Sequence, residues 1–185
     1  MGPSGNEGEV YEPAEDTYLL LRVAIAEAKA SDMVLEVGCG RGLISRKLAL
    51  RVRDVLATDI NPFAVRMVRD CGIPVIRADL FLGIKGKFDM IIFNPPYLPT
   101  PDDEKTAGWL NFALDGGKSG RETIKRFLED LGPHLTPNGR ALILLSSLTG
   151  IAEVEEMAYK LGFDVSEVAI EKHFFEQLYI LKLYL

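Results

Sequence analysis

The stretch Met33-Val34-Leu35-Glu36-Val37-Gly38-Cys39-Gly40-Arg41-Gly42 decides how this chain folds. Its first half is a short apolar run typical of a buried strand, and its second half alternates glycine with other residues. Glycines permit a tight turn and let a ligand touch the backbone. A dinucleotide-binding loop would need a further glycine at position 43, where the chain has Leu43. The stretch therefore predicts a strand and a tight turn, which either holds a ligand without a pyrophosphate or holds no ligand.

Short apolar strands and amphipathic helices alternate on both sides of this turn. The predicted strands are 33–37, 55–58, 75–76, 88–93, 140–145, 164–169 and 177–183, and the predicted helices are 13–30, 43–50, 62–71, 120–131 and 151–161. Too few residues separate the last two strands for a crossover helix, so we expect them to pair antiparallel. The pattern predicts an α/β fold with an open seven-stranded sheet, mostly parallel with an antiparallel C-terminal strand, and helices on both faces.

Length and composition are those of an ordinary globular protein with one domain. The chain has 185 residues, of which 48% are hydrophobic and 26% charged. No apolar run approaches the roughly 18 residues that span a bilayer, and the N-terminus lacks a signal pattern, so we expect a cytoplasmic protein. Residues 1–10 are polar and glycine-rich, which predicts a flexible leader before a single domain over residues 11–185.

Charge and cysteine content argue against several kinds of site. The net charge of −6 argues against a protein that binds nucleic acid through a broad phosphate-facing surface. Cys39 and Cys71 are too few for a disulfide framework or a zinc site, so we expect reduced thiols and no bound metal.

Two acids follow the second and third predicted strands, at the edge of the sheet where ligands bind. Asp59 is placed to accept hydrogen bonds from both hydroxyls of a ribose. It could instead cap the next helix, but Asn61 fits the cap better because it directly precedes Pro62. Asp79 could be a surface acid. Its place behind two other matching loops favours contact with an adenine amino group, with Leu80 against the ring.

The tetrapeptide Asn94-Pro95-Pro96-Tyr97 directly follows the fourth predicted strand and is the most specific motif in the chain. Methyl transfer to a planar nitrogen meets a poor nucleophile, because its lone pair is delocalised. The side-chain carbonyl of Asn94 and the main-chain carbonyl of Pro95 can accept the two N–H groups, and Tyr97 offers a flat wall. The alternative is a strand-terminating turn. The context behind a glycine loop favours methyl transfer, in which positioning contributes more than acid-base catalysis.

With these motifs the chain resembles the release-factor glutamine methyltransferases, in particular the archaeal and eukaryotic (HemK-related) branch. The stretches that support the resemblance are Val10-Tyr11-Glu12-Pro13-Ala14-Glu15-Asp16-Thr17, Thr58-Asp59-Ile60-Asn61-Pro62 and Ala113-Leu114-Asp115-Gly116-Gly117-Lys118-Ser119-Gly120-Arg121-Glu122. The resemblance runs from about Val10 to the C-terminus and is weak after Gly139. It implies a Rossmann-like class I methyltransferase sheet.

The family modifies the glutamine of a Gly-Gly-Gln motif in class 1 translation release factors. The resemblance therefore implies methyl transfer from S-adenosylmethionine, with S-adenosylhomocysteine as product, to a glutamine side-chain nitrogen (N5). It assigns the following residues to the cofactor: Thr17, Glu36, Gly38, Asp59, Asp79, Leu80 and Asn94. Gly40 and Ile60 lie in the same loops, and we expect them to contact the cofactor as well. Asn94, Pro95 and Tyr97 are the predicted catalytic residues, and Pro96 joins them at the substrate. Members of this branch often work with a small zinc-binding activator protein.

Three other functions stay open at this point. An adenine-N6 methyltransferase on DNA or RNA would use the same tetrapeptide, but the negative charge and the lack of a recognition domain argue against it. Protein lysine methylation makes less use of the Asn94-Pro95 pair. A non-catalytic S-adenosylmethionine-binding scaffold would not need Asn94.

Some aromatic residues allow only weaker expectations. Trp109 and Phe112 either line a peptide channel or cover the core. Phe174 and Phe175 are expected to make core or hairpin contacts. The polar stretch 100–105 is expected to be mobile until substrate arrives.

Overall fold

The computed structural model describes residues 9–100 and 108–185. Residues 1–8 of the predicted leader and residues 101–105 of the predicted mobile stretch lie outside the described residues. Val10, which the prediction assigned to the leader, is 2% exposed. Val10 is therefore packed against the domain, although the predicted domain boundary lies at residue 11.

The described residues form seven strands and six α-helices in alternating order. The strands are β1 Met33–Val37, β2 Asp54–Asp59, β3 Val75–Arg77, β4 Phe88–Phe93, β5 Leu135–Ser146, β6 Asp164–Lys172 and β7 Gln177–Tyr184. The helices are α1 Glu15–Glu27, α2 Leu43–Leu48, α3 Pro62–Asp70, α4 Trp109–Leu114, α5 Glu122–Leu131 and α6 Ile151–Lys160. No helix among the described residues is long and apolar enough to cross a membrane.

The strands form one sheet in the order β3-β2-β1-β4-β5-β7-β6. Strands β1 to β5 pair in parallel, and β7 pairs antiparallel with both β5 and β6. The predicted seven-stranded α/β fold is confirmed, including the antiparallel pair at the end of the chain. The strand order reverses between β1 and β4, and such a switch point opens a crevice at the carboxyl ends of the strands.

The pairing register fixes which loops meet at that crevice. Val37 of β1 lies beside Thr58 of β2 and beside Phe93 of β4. The residues that directly follow these three in the sequence are Gly38, Asp59 and Asn94, respectively. Three predicted site residues from distant parts of the sequence thus reach one edge of the sheet at the same level.

Both faces of the sheet are buried, because successive side chains of a strand point to opposite faces. Leu35 of β1 belongs to the apolar cluster that includes Phe127 of α5 and Val154 of α6. Its neighbour Val34 belongs to the cluster that includes Leu20 of α1 and Leu48 of α2. The helices on the two faces hold the sheet rigid behind the crevice.

The structure differs from the sequence-based prediction at several elements. Strand β5 begins at Leu135 rather than Arg140, because residues 136–139 bulge out between its first two pairs with β4. The prediction had no helix at α4, which contains no buried residue and so lacks an amphipathic pattern. Phe174 and Phe175 lie between β6 and β7, as expected for hairpin residues. The alternative that they belong to the core is wrong, since they are 93% and 85% exposed and pack edge to face against each other.

Candidate active site

A cavity of about 290 Å³ lies at the carboxyl ends of the central strands. Its lining includes all twelve residues that the sequence assigned to cofactor or substrate: Thr17, Glu36, Gly38, Gly40, Asp59, Ile60, Asp79, Leu80, Asn94, Pro95, Pro96 and Tyr97. Tyr11, Asp16, Cys39 and Arg126 also line it and were not assigned to the site from the sequence. One cavity thus unites loops that follow β1, β2, β3 and β4.

The glycine loop needs its glycines for two different reasons. Gly38, Gly40 and Gly42 all have positive φ angles, of 67°, 50° and 70°, a region that side chains with a Cβ disfavour. A Cβ on Gly42 would also lie 2.7 Å from Cγ2 of Val68 on α3. The first two glycines therefore shape the cavity wall, and the third lets α2 and α3 approach each other.

Asp59 connects the glycine loop to the loop that follows β2. Its Oδ2 accepts a hydrogen bond from the Gly40 backbone N at 2.8 Å, and its Oδ1 accepts one from the Asn61 backbone N at 2.8 Å. Burial raises the pKa of Asp59, and the backbone hydrogen bonds oppose this shift. Asn61 caps α3 by accepting from Phe63 N at 2.9 Å, as predicted. Each carboxylate oxygen of Asp59 keeps a second lone pair that can accept from a ligand hydroxyl.

Glu36 is the most deeply enclosed acid of the cavity. It is 5% exposed and accepts hydrogen bonds from the backbone N of Ser45, at 2.8 Å, and from the Ser45 hydroxyl. Burial raises the pKa of Glu36 to about 7, while the two hydrogen bonds from Ser45 act in the opposite direction. A cationic ligand group beside this carboxylate would restore its ionised form.

The loop after β3 brings one acid and one apolar side chain to the cavity. Asp79 Oδ2 forms an ion pair with Arg126 Nη2 of α5 at 2.7 Å. Leu80 is 7% exposed and has φ 49°, and it is the only non-glycine residue with positive φ in the described part of the chain. Such strain is uncommon and is found preferentially at functional sites.

Asn94 has one satisfied and one unsatisfied end. Its Nδ2 donates to Asp16 Oδ2 at 2.9 Å. Its Oδ1 is buried from solvent and has no hydrogen-bond partner among the described residues. A buried acceptor without a donor costs free energy, and such atoms occur where a ligand supplies the missing partner.

Pro95 and Tyr97 complete the wall around Asn94. Pro95 is buried, and no cis peptide bond occurs among the described residues, so the tetrapeptide leaves β4 in a trans conformation. Burial raises the pKa of the Tyr97 hydroxyl, and the nearby carboxylates of Asp16 and Glu176 raise it further. Tyr97 is thus a neutral aromatic wall rather than a base.

The glycines that precede α5 allow close packing against the tetrapeptide. A Cβ on Gly116 would lie 2.9 Å from the Pro96 carbonyl oxygen, and a Cβ on Gly120 would lie 2.6 Å from the Tyr97 carbonyl oxygen. Gly116 N also donates to Leu98 O at 2.9 Å. This packing gives a physical reason for the glycine-rich segment that supported the family resemblance.

Helix α4 and the N-terminal segment enclose the cavity from the other side. The Trp109 backbone N donates to Glu9 Oε2 at 2.9 Å, and Asn61 Nδ2 donates to Glu9 O at 2.9 Å. The guanidinium carbon of Arg77 lies 5.6 Å from the centroid of the Trp109 ring. Trp109 and Phe112 line the cavity, so of the two predicted placements the structure favours the channel wall.

Most of the lining residues that the sequence did not assign to the site belong to no local motif that would indicate a ligand. Asp16 belongs to a stretch that supports the family resemblance and to the first turn of α1, but neither feature points to Asn94, which lies 78 residues away in the sequence. Arg126 looks like any exposed helix cation until α5 is placed beside Asp79. Within the described ranges, no group of three or more His, Cys, Asp or Glu side chains could hold a metal ion.

Comparison with known proteins gives consistent relatives. The family model for the methyltransferase small domain matches residues 15–175. A protein of Methanocaldococcus jannaschii described as a putative protein N5-glutamine methyltransferase is 46% identical over 180 residues, 94% of this chain and 90% of that protein. The mouse methyltransferase HEMK2 is 37% identical over 147 residues, 71% of this chain and 69% of its own length.

A solved structure closely matches the fold. It is the E. cuniculi Mtq2–Trm112 complex, described as responsible for the methylation of the eRF1 translation termination factor. The TM-score is 0.80 with 31% sequence identity, and the match covers 95% of this chain and 98% of that chain.

Proposed function

Because the chain belongs to the methyltransferase small domain family, we propose that it transfers a methyl group from S-adenosylmethionine to the side-chain amide nitrogen of a protein glutamine. We further propose that the glutamine lies in the Gly-Gly-Gln motif of a class 1 translation release factor. Two relatives that are similar over nearly the whole chain support this: one is described as a putative protein N5-glutamine methyltransferase, and the other belongs to a complex described as methylating the eRF1 translation termination factor.

The observation that carries the proposal is the unsatisfied Oδ1 of Asn94. A primary amide presents two N–H donors in one plane and has a delocalised lone pair on nitrogen. Asn94 lines the cavity, and its Oδ1 is a buried acceptor without a donor among the described residues. A glutamine amide supplies that donor, and the Pro95 carbonyl is the proposed acceptor for the second N–H.

The acidic and apolar side chains that line the cavity fit S-adenosylmethionine. We assign Asp59 to the ribose hydroxyls, because both of its oxygens are already held in place by backbone N–H groups. Glu36 faces the cationic part of the cofactor, where a positive charge offsets the cost of burying a carboxylate. Asp79 and Leu80 are assigned to adenine, and Arg126 holds the Asp79 carboxylate in position.

The remaining predicted cofactor residues form the walls of this part of the cavity. Thr17 lies in the first turn of α1, Ile60 follows Asp59, and Gly38 and Gly40 leave room at the backbone. When bound, S-adenosylmethionine supplies a methyl group already activated by its sulfonium charge. A strong base is therefore unnecessary, and the contribution of the protein is to hold both partners in line.

The tetrapeptide prepares the nitrogen for reaction. Accepting both N–H groups at Asn94 Oδ1 and Pro95 O draws electron density onto the nitrogen and aims its lone pair at the methyl group. When bound, S-adenosylmethionine would supply the methyl group for a new N–C bond as its S–C bond breaks, and the nitrogen would then lose one proton to solvent. Tyr97, with its hydroxyl kept neutral, holds the flat face of the amide.

The relatives also suggest a partner protein and a cellular compartment for the enzyme. We propose that a small zinc-binding activator protein assists this chain, as the relative Mtq2 is found in complex with Trm112. The proposed catalytic domain is residues 11–185, and the proposed substrate places the reaction in the cytoplasm.

Radiolabelled methyl transfer to an intact class 1 release factor tests the proposal. We expect incorporation with the wild-type Gly-Gly-Gln motif, and none when that glutamine is replaced by asparagine, whose shorter side chain cannot bring the amide to the same depth. Equal incorporation into the Asn form would contradict the proposal, and so would the absence of incorporation into the wild-type factor with the activator present.

A further inference from the structure

We propose that Asp16 is a positioning residue for the reaction, which fixes the orientation of the Asn94 carboxamide so that Oδ1, and not Nδ2, faces the substrate. This inference rests on the proposed function, since it assigns a role to a residue that the transfer chemistry itself does not touch. Asp16 lies in the first turn of α1 and Asn94 directly follows β4.

Every polar contact of Asp16 with the described residues is made with a donor. Its Oδ2 accepts from Asn94 Nδ2 at 2.9 Å and from the Tyr11 hydroxyl at 3.0 Å. Its Oδ1 accepts from the backbone N and the hydroxyl of Thr17. The side chain is only 5% exposed, so water cannot easily replace these partners. An ionised carboxylate is the one side chain of this size that accepts at both ends.

The orientation of Asn94 needs such a partner because its two ends have almost the same shape. Rotation by 180° about the last side-chain bond exchanges oxygen and nitrogen without changing the space they occupy. In the rotated form an NH₂ group would face the substrate amide and would repel its N–H groups. The carboxylate of Asp16 opposes this rotation, because the rotated form would place two acceptor oxygens against each other.

The position of Asp16 on the helix supports the same conclusion. An acid in the first turn of a helix is stabilised by the exposed backbone N–H groups there. Helix α1 packs through Leu20 and Ala24 on the face of the sheet that includes Met90 and Ile92 of β4. The carboxylate is therefore held on a rigid element that is fixed to the strand preceding Asn94.

The test compares Asp16→Asn with a matched control, Asp89→Asn. Asn at position 16 has one acceptor end and one donor end, so it cannot satisfy both Thr17 and Asn94, and Asn94 is free to rotate. We expect kcat to fall by roughly 10- to 100-fold, as the loss of a hydrogen bond to a charged group implies. We expect KM for S-adenosylmethionine to change little, and the midpoint of thermal unfolding to fall as it does in the control, because both variants lose hydrogen bonds to a carboxylate.

Asp89 controls for the general effect of neutralising a hydrogen-bonded acid. It accepts from Met33 N at 2.9 Å and from the Thr136 hydroxyl at 3.0 Å, near the opposite end of β4. Asp89→Asn should lower stability without changing kcat. If Asp16→Asn leaves kcat within about threefold of wild type, or if both variants lower kcat equally, the inference is wrong.

An NMR measurement separates this inference from the proposed function, because it requires no substrate. In ¹⁵N-labelled wild-type protein, the carboxamide protons of Asn94, assigned by their loss in Asn94→Ala, should exchange slowly with solvent, and should exchange fast in Asp16→Asn. Unprotected Asn94 protons in the wild type would overturn the role of Asp16 even if methyl transfer occurs. If the Asn94 protons are protected but no methyl transfer occurs, the hydrogen bond from Asn94 to Asp16 is supported and the proposed function is overturned instead.

Discussion

The side-chain oxygen of Asn94 is the atom on which the proposed mechanism depends most. Its Oδ1 is the buried acceptor that awaits a donor, while its other end is held by Asp16. We predict that Asn94→Ala lowers kcat by roughly 10²–10³-fold, the cost of removing one preorganised hydrogen bond at a reacting group. The Kd for S-adenosylmethionine should change little, because all the other proposed cofactor contacts come from other loops and Asn94 supplies only one of them. Single-turnover kinetics and calorimetry measure the two quantities separately, and transfer at the wild-type rate would contradict the mechanism.

Glu36 makes the stability of the cofactor-free protein depend on pH. Its pKa in the folded protein is about 7, above the ordinary value of 4.5, so the folded state holds the proton more tightly than the unfolded chain. The resulting contribution to the free energy of unfolding, on the order of 3 kcal/mol, is complete below about pH 4.5 and is lost as the pH rises through about 7. Glu36→Gln keeps a neutral side chain at every pH. We predict a flatter stability curve for the variant in urea titrations between about pH 5 and pH 8.

The urea titration is interpreted from the difference between the two proteins. Asp59 also has a raised pKa, and its charge helps to raise the pKa of Glu36. The difference between wild type and variant therefore reports the titration of Glu36 together with its coupling to Asp59. Parallel stability curves for the two proteins would mean that Glu36 is already ionised in the folded state.

At the residue scale, sequence reasoning succeeds where the signal is local. Asn61 could be separated from Asp59 because it directly precedes Pro62, and the structure confirms that Asn61 caps α3. Asp16 was missed as a site residue because its partner lies 78 residues away in the sequence. A hydrogen bond between two turns of distant elements becomes visible only when the register of β4 and the position of α1 are known.

Among the elements, the turn between β1 and α2 carries the strictest backbone requirement. Gly38 and Gly42 have similar positive φ angles of 67° and 70°, but only Gly42 faces an obstacle, since its Cβ would lie 2.7 Å from Val68. We predict that Gly42→Ala lowers the free energy of unfolding by about 2–4 kcal/mol, from backbone strain and overpacking together. Gly38→Ala should cost about 1–2 kcal/mol, from the backbone alone. Urea denaturation of both variants tests the difference, and equal losses would show that packing of α2 against α3 is not the constraint.

Two features escaped sequence-based prediction, each for its own reason. Helix α4 contains no buried residue, so no apolar period reveals it, and the backbone N–H at its N-terminus donates to Glu9. The start of β5 is hidden by the bulge at residues 136–139. The long strands and helices were predictable because burial on one or both faces imposes a pattern on their side chains.

For the whole molecule, charge distinguishes the two planar nitrogens that the tetrapeptide could serve. The chain carries 21 Lys and Arg residues against 27 Asp and Glu residues, which gives a net charge of −6. Binding to nucleic acid draws most of its affinity from neutralised phosphates. We predict no sequence-dependent methyl transfer to DNA or RNA at physiological salt, measured with the same labelled cofactor as the protein assay. Robust transfer to adenine, with none to a release factor, would reverse the assignment of substrate.

The fold of the whole molecule was predictable from strand and helix alternation, and the sheet has the predicted seven strands. The identity of the macromolecule that enters the cavity was not predictable from the motifs alone, because an amide and an exocyclic amine present the same pair of N–H groups. Similarity over 94% of the chain to a protein described as a putative N5-glutamine methyltransferase supports the amide.

Peptide mass spectrometry of a class 1 release factor tests the central claim most directly. The factor is incubated with this protein, S-adenosylmethionine and the activator, digested, and fragmented to locate any added methyl group. We expect one methyl group on the side-chain nitrogen of the glutamine in the Gly-Gly-Gln motif, and none when the Asn94→Ala variant is used. A methyl group on a lysine, or a release factor left unmodified by the wild-type protein, would contradict it.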